Sequence, residues 1–230
     1  MNMKKIISFF IVACCAMCAT AAKVVWQIGV ADNSGTELAL GPSEYKKFLA
    51  HDFGYEDRYF LVGTSVDKND FPYVLPGPDD TWGGTWSTSG WRTHDANILF
   101  GIKKLPKHGK WKLVVDLVDA NPSRSVVKVM VNSAEKKFEI KGHSKGVLEG
   151  NLQDAKEQIL EFPISANDLK KGGNMVTVSV LEGGWIVFDQ IRLEGADELV
   201  LEKNNEYAFL RNVAPAEYEM EMDGAKIQPL

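Results

Sequence analysis

Residues Asn174–Gly195 read NMVTVSVLEGGWIVFDQIRLEG. Valine recurs at 176, 178 and 180, with Thr177 and Ser179 between. A period of two sends these valines to one face of an extended chain, whereas a helix would scatter them around its axis. Gly183 and Gly184 break the run. A second β-branched and aromatic run, Trp185–Gly195, follows, so the stretch predicts two strands, Asn174–Gly183 and Trp185–Gly195.

The same signature repeats upstream. Lys110–Ala120, Ser125–Asn132, Lys136–Gly142 and Lys156–Ile164 are strand-like, each bounded by Gly, Pro, Asn or Asp, and Val127, Val129 and Val131 alternate as clearly as the later valines. Helical period is scarce. Ser43–Phe53 could form a short helix with Ser43 as its N-cap, and Asn167–Lys171 reads as a short helical or turn connection. Short strands without intervening helices predict an all-β fold, an antiparallel β-sandwich or jelly roll.

The chain has 230 residues, a net charge of −5, 45% hydrophobic and 25% charged residues. That is ordinary globular composition with no basic footprint for nucleic acid. Residues 1–21 read as a secretory signal: Lys4 and Lys5, an apolar run from Ile6 to about Met17 that is too short to span a membrane, and Ala19-Thr20-Ala21 ahead of a cleavage point before Ala22. Ile11-Val12-Ala13-Cys14 also resembles a lipobox, which would lipidate Cys14. Cleavage before Ala22 removes Cys14, Cys15 and Cys18, all the cysteines, and takes the net charge to −7. A periplasmic or extracellular protein of that kind has no disulfide, and its core alone must hold it. Residues 22–196 then form the sandwich. Residues 197–230 turn acidic and read as a linker and the start of a second, truncated β module, with Tyr218, Met220 and Met222 alternating before an Asp223-Gly224 turn.

No H-E-x-x-H, G-x-S-x-G or Walker loop is present. His51, His94, His108 and His143 are too far apart in sequence for a local metal pair. The acid pairs Asp79-Asp80 and Glu56-Asp57 read as solvated loop residues. A catalytic reading would assign Asp79, Asp80 and His94 to acid–base work.

The stretch DDTWGGTWSTSGWRTH, Asp79–His94, offers more to a ligand. Sugars present apolar C–H faces beside dense hydroxyls, and proteins meet these with aromatic platforms edged by polar groups. Trp82 and Trp86 are the expected platforms. Tyr73 stands upstream in the Pro-rich FPYVLPGPDD, and Asp80, Arg92 and His94 are edge partners, with Arg92 able to fork a uronate carboxylate. Trp91, leading into the strand-like ANILFGI, is the expected plug against the sheet, and Trp26, Trp111 and Trp185 are expected core residues. No cofactor is implied. A structural calcium is a weaker expectation, with Asp32, Glu37 and Asp189 as its candidates.

Two segments, VVWQIGVADNSGTELAL (Val24–Leu40) and GGNMVTVSVLEGGWIVFDQIRLEG (Gly172–Gly195), resemble the last domain of rhamnogalacturonan lyases of polysaccharide lyase family four. The resemblance implies a jelly-roll sandwich of the galactose-binding-like class that contributes to polysaccharide binding. The middle, Phe53–His94, looks like modules fused to large polysaccharide-degrading enzymes of gut-type bacteria. Those lyases carry their catalytic lysine and histidine in a separate domain, so no position here inherits either role. The expectation is an exported carbohydrate-binding or accessory module with a polysaccharide or oligosaccharide ligand, working beside a catalytic module, and without catalytic residues or an integral membrane span of its own. The alternative is a non-binding spacer of a larger, truncated glycan-degrading enzyme.

Overall fold

The computed structural model describes residues 22–41, 58–80, 94–143, 146–147 and 150–203, and the backbone of 220–222 and 225–227. The expected signal segment, the expected helix Ser43–Phe53, and Trp82, Trp86, Trp91 and Arg92 lie outside the described residues.

Two sheets face each other. The first is built on β10 (Ile186–Gly195), with β5 (Lys110–Ala120) on one side and β8 (Gln158–Ser165) beyond it. The other side of β10 is shared end to end by β1 (Lys23–Gly29) and β3 (Val74–Leu75). The second sheet runs β11 (Val200–Glu202), β4 (Ala96–Lys104), β9 (Gly172–Glu182), β6 (Arg124–Val131), β7 (Ala134–Lys141), with β2 (Arg58–Leu61) also on β4. β2 pairs with β4 in parallel, a departure from the otherwise antiparallel strand pairing. A four-residue helix, α1 (Asp67–Asp70), sits between β2 and β3, and a hairpin of β12 (Met220–Met222) and β13 (Ala225–Ile227) forms a sheet of its own.

The valine alternation sets the interior. Val176, Val178 and Val180 of β9 and Val127, Val129 and Val131 of β6 are at most 1% exposed. Fully burying a side chain of this size stabilises by roughly 1.5–3 kcal/mol. Aromatic rings join the two sheets: Trp26 of β1 meets Phe100 of β4 at 5.5 Å, and Phe71 bridges Phe60 of β2 and Phe188 of β10 at 5.9 and 5.3 Å. Trp26, Trp111 and Trp185 are all buried, as expected of core residues.

Asn132 adopts φ +53° at the β6–β7 turn, a left-handed conformation that asparagine tolerates. Its side chain donates to the Asp168 carbonyl at 2.8 Å and accepts the Met175 N–H at 3.1 Å, tying the hairpin tip to the start of β9. Residues 166–168 form a turn. One expected boundary moves. β11, which the sequence reading assigns to a linker, pairs with β4, and Leu199 packs into the core, so the sandwich extends through Glu202. A three-residue edge strand carries too little pattern to be recognised before its partner is known.

Candidate functional site at the loop end of the sandwich

Four connections gather at one end of the sandwich: residues 76–80 after β3, the β5–β6 turn, residues 142–143 and 154–157 between β7 and β8, and the β9–β10 turn at Gly183–Trp185. They are bonded to one another. Asn121 donates its N–H to the Trp185 carbonyl at 2.8 Å, Asp79 donates to Gly183 O at 3.0 Å, and Ser125 Oγ donates to Gly184 O at 3.2 Å. Gly77 lies so close to this corner that a Cβ there would meet Gly183 O at 2.4 Å and Gly184 O at 2.7 Å.

Asp119, 0% exposed, organises the third connection. Its Oδ1 accepts the N–H groups of Ala120 and His143 at 2.7 and 3.0 Å, and its Oδ2 that of Lys156 at 3.3 Å. The sequence reading missed it. The available signal was a carboxylate inside the apolar run of β5, where a buried charge needs several donors.

Asp80 is the last described residue before the tryptophan-bearing stretch, and His94 the first described residue after it. Asp80 is buried against the glycine corner; its Oδ2 accepts the Gly77 N–H at 2.7 Å, and burial pushes its carboxyl up to about 6 despite that bond. His94 is buried at 3% exposure, and the Asp95 carbonyl accepts the Arg58 N–H at 2.9 Å, joining the starts of β4 and β2. Tyr73 is 0% exposed, and its backbone carbonyl accepts the Phe188 N–H at 2.8 Å. Three residues expected as ligand contacts are therefore buried in the structure: Tyr73 is drawn into the core where β3 inserts beside β10, Asp80 lies against the glycine corner, and His94 is covered just ahead of β4.

The acidic trio named for calcium, Asp32, Glu37 and Asp189, accepts hydrogen bonds from the loop after β1. Asp189 Oδ1 accepts the Ser34 N–H at 3.1 Å, Asp32 Oδ1 accepts the Ser34 hydroxyl at 2.7 Å, and Glu37 Oε1 accepts the Val30 N–H at 2.6 Å. Burial raises the Asp189 carboxyl above the usual range. Among the described residues no three His, Cys, Asp or Glu side chains converge on a point that could hold a metal ion. Through these bonds the three carboxylates brace the loop after β1.

The described residues thus form an all-β sandwich whose connections at one end are hydrogen-bonded to one another. Residues 24–193 match the model of the CBM-like family, polysaccharide lyase family 4 domain III, and the chain belongs to that family. It is 24% identical over 183 residues to the rhamnogalacturonate lyase of Dickeya dadantii (strain 3937), an alignment that takes in 75% of this chain and 28% of that protein. The chain thus spans less than a third of the length of that relative. Among solved structures it is similar to the CBM35 of Cellvibrio japonicus Abf62 (TM-score 0.34, 12% identity, 48% of this chain and 70% of that one). It is also similar to a family 35 carbohydrate binding module from an environmental isolate (TM-score 0.34, 12% identity, 80% and 95%). Among the described residues no helix is long and apolar enough to cross a membrane.

Proposed function

We propose that this chain is an exported carbohydrate-binding module that serves polysaccharide breakdown without cleaving the polymer itself. Its ligand is a plant-type polysaccharide of the rhamnogalacturonan kind, and catalysis belongs to a partner module. The observation that supports the reading is that the chain is held on either side of the tryptophan-bearing stretch, by the Gly77 N–H on Asp80 Oδ2 and by the Arg58 N–H on the Asp95 carbonyl. A loop held at both ends loses less entropy on binding, which favours a platform. In this reading Trp82 and Trp86 stack on sugar faces and Arg92 takes a carboxylate or hydroxyl pair. Tyr73, Asp80 and His94, all buried, are structural neighbours of the platform in the chain rather than ligand contacts in this reading.

Affinity electrophoresis through gels containing rhamnogalacturonan, homogalacturonan, galactan, mannan or no polymer tests the reading. Retardation by at least one polymer is expected; equal mobility in every gel would overturn it. A spacer role has one observation in its favour. A groove of about 350 Å³ between the edge strands β1 and β11, lined by Val24, Val25, Leu199, Val200 and Leu201 with Lys23, Asp197 and Glu198, could seat a neighbouring domain. That role predicts no retardation in any gel.

A further inference from the structure

The two sides of the sandwich are finished differently. Among the described residues the edges on one side are β7 and β8. β7 exposes Glu135, Lys136, Lys137 and Glu139, and β8 exposes Pro163. Lys136 also donates to the Glu161 carbonyl at 2.8 Å, which ties the two edges together. Charges and a proline of this kind keep other strands off a sheet edge.

On the other side the edges are β1 and β11, with the groove of about 350 Å³ between them. Its walls are apolar. Val24 is 43% exposed, and Val25, Val200 and Leu201 are half-buried. The charged lining residues, Lys23, Asp197 and Glu198, stand where β1 starts and just ahead of β11. An apolar edge without the guards seen on β7 and β8 calls for a cover.

The chain itself supplies a strand pair of matching length. β12 and β13 have three residues each, as does β11. Their register pairs Met220 with Ile227 and Met222 with Ala225. The pleat therefore places these four apolar residues on one face, and the opposite charges of Glu221 and Lys226 on the other. The hairpin forms a sheet of its own, and two strands alone are marginal in water. The chain leaves the groove wall at the end of β11, Glu202, and β12 begins at Met220. That interval spans up to about 60 Å when extended, so the hairpin can reach the whole groove, and the tether holds it there at high effective concentration.

We infer that the hairpin β12–β13 docks on the groove between β1 and β11 through the face of Met220, Met222, Ala225 and Ile227. The groove then has an occupant within the chain rather than a neighbouring domain. The inference goes beyond the carbohydrate-binding reading and needs no glycan to be bound.

The test is amide hydrogen exchange on the full chain, with light scattering for its mass, in wild type, Val24→Asp, Ile227→Asp and Val66→Asp. In a wild-type monomer the amides of β12–β13 should exchange about tenfold or more slowly than in an unprotected chain. Val24→Asp puts a charge in the groove wall, at a position already part-exposed, and should abolish that protection although it lies far from the hairpin in sequence. Ile227→Asp should free the hairpin and quicken exchange along β11, with β9 unchanged. Val66→Asp puts the same charge on another exposed valine, outside the groove, and should leave the hairpin protected. Unprotected hairpin amides in a wild-type monomer would overturn the inference and leave the groove to a neighbouring domain. Protection that survives Val24→Asp, or is lost equally in Val66→Asp, would also overturn it. A wild-type dimer that Val24→Asp dissociates would overturn it by seating a second copy in the groove. Polysaccharide retardation in gels is read separately, so either reading can fail without the other.

Discussion

Asp80 Oδ2 accepts the backbone N–H of Gly77 at 2.7 Å, inside a corner where Gly77 itself lies against Gly183 and Gly184. This contact fixes the chain immediately before the tryptophan-bearing stretch. It also buries a carboxylate that has to be ionised at neutral pH, and the consequences are measurable.

Burial pushes both Asp80 and Asp116 from 3.8 to about 6, the second with further help from Glu157 and Asp189. A carboxyl whose folded value is raised favours the folded state while protonated. Below 3.8 it is protonated in both states and costs nothing; as pH rises towards 6 the unfolded state ionises first, and stability is lost. Above 6 the cost is complete, at roughly 2–3 kcal/mol per group. The protein should therefore melt at a higher temperature at pH 4.5 than at pH 7.5. Asp80→Asn and Asp116→Asn should each reduce that difference, and the double variant should reduce it most. A double variant with the wild-type pH dependence would assign the effect to other groups.

Asp119→Ala removes the acceptor of three backbone N–H groups. Each unsatisfied buried donor costs about 1–3 kcal/mol, and opening of the connection to water recovers part of it, so the net loss should be about 3 kcal/mol. Amide hydrogen exchange at His143 and Lys156 should quicken more than exchange in β9. Uniform quickening across the sandwich would show that Asp119 supports the whole fold rather than this connection.

Gly77→Ala places a methyl 2.4 Å from a backbone carbonyl oxygen that belongs to the β9–β10 turn. The turn or the 77–80 segment has to move, which should cost about 1–3 kcal/mol and weaken polysaccharide binding. Gly63→Ala is the contrast: nothing lies within 4 Å, and its φ of +81° alone opposes the change. That variant should lose about 1 kcal/mol and keep its binding. Equal binding by both variants would separate the glycine corner from the ligand platform.

The sequence carried the long strands well and the short ones poorly. β5 spans Lys110–Ala120 as expected, and β6, β9 and β10 fall within two residues of their expected bounds, because a period-two run of valines is a local signal. β2, β3 and β11 have four, two and three residues. They exist through pairing with β4 and β10, and nothing local distinguishes them from loop. The same cause misdirected the reading of Tyr73. Its Pro-rich surroundings suggest an exposed rigid loop, but the pairing of Val74 with Val187 draws it inside. Nothing local foretells the burial of Asp80, which depends on a corner built with Gly183 and Gly184 a hundred residues later.

The central claim is that the stretch between Asp80 and His94 carries the ligand platform. The most direct measurement is a calorimetric titration of the best-retarding polysaccharide into wild type, Trp82→Ala, Trp86→Ala and Val178→Ala. Val178 lies in the core at 0% exposure, so its truncation should lower stability by about 2–3 kcal/mol while leaving affinity unchanged. Loss of a stacking tryptophan should lower affinity by about tenfold, with stability little altered. Full affinity in both tryptophan variants, together with melting temperatures that fall as far as that of Val178→Ala, would contradict the claim and make these tryptophans part of the core.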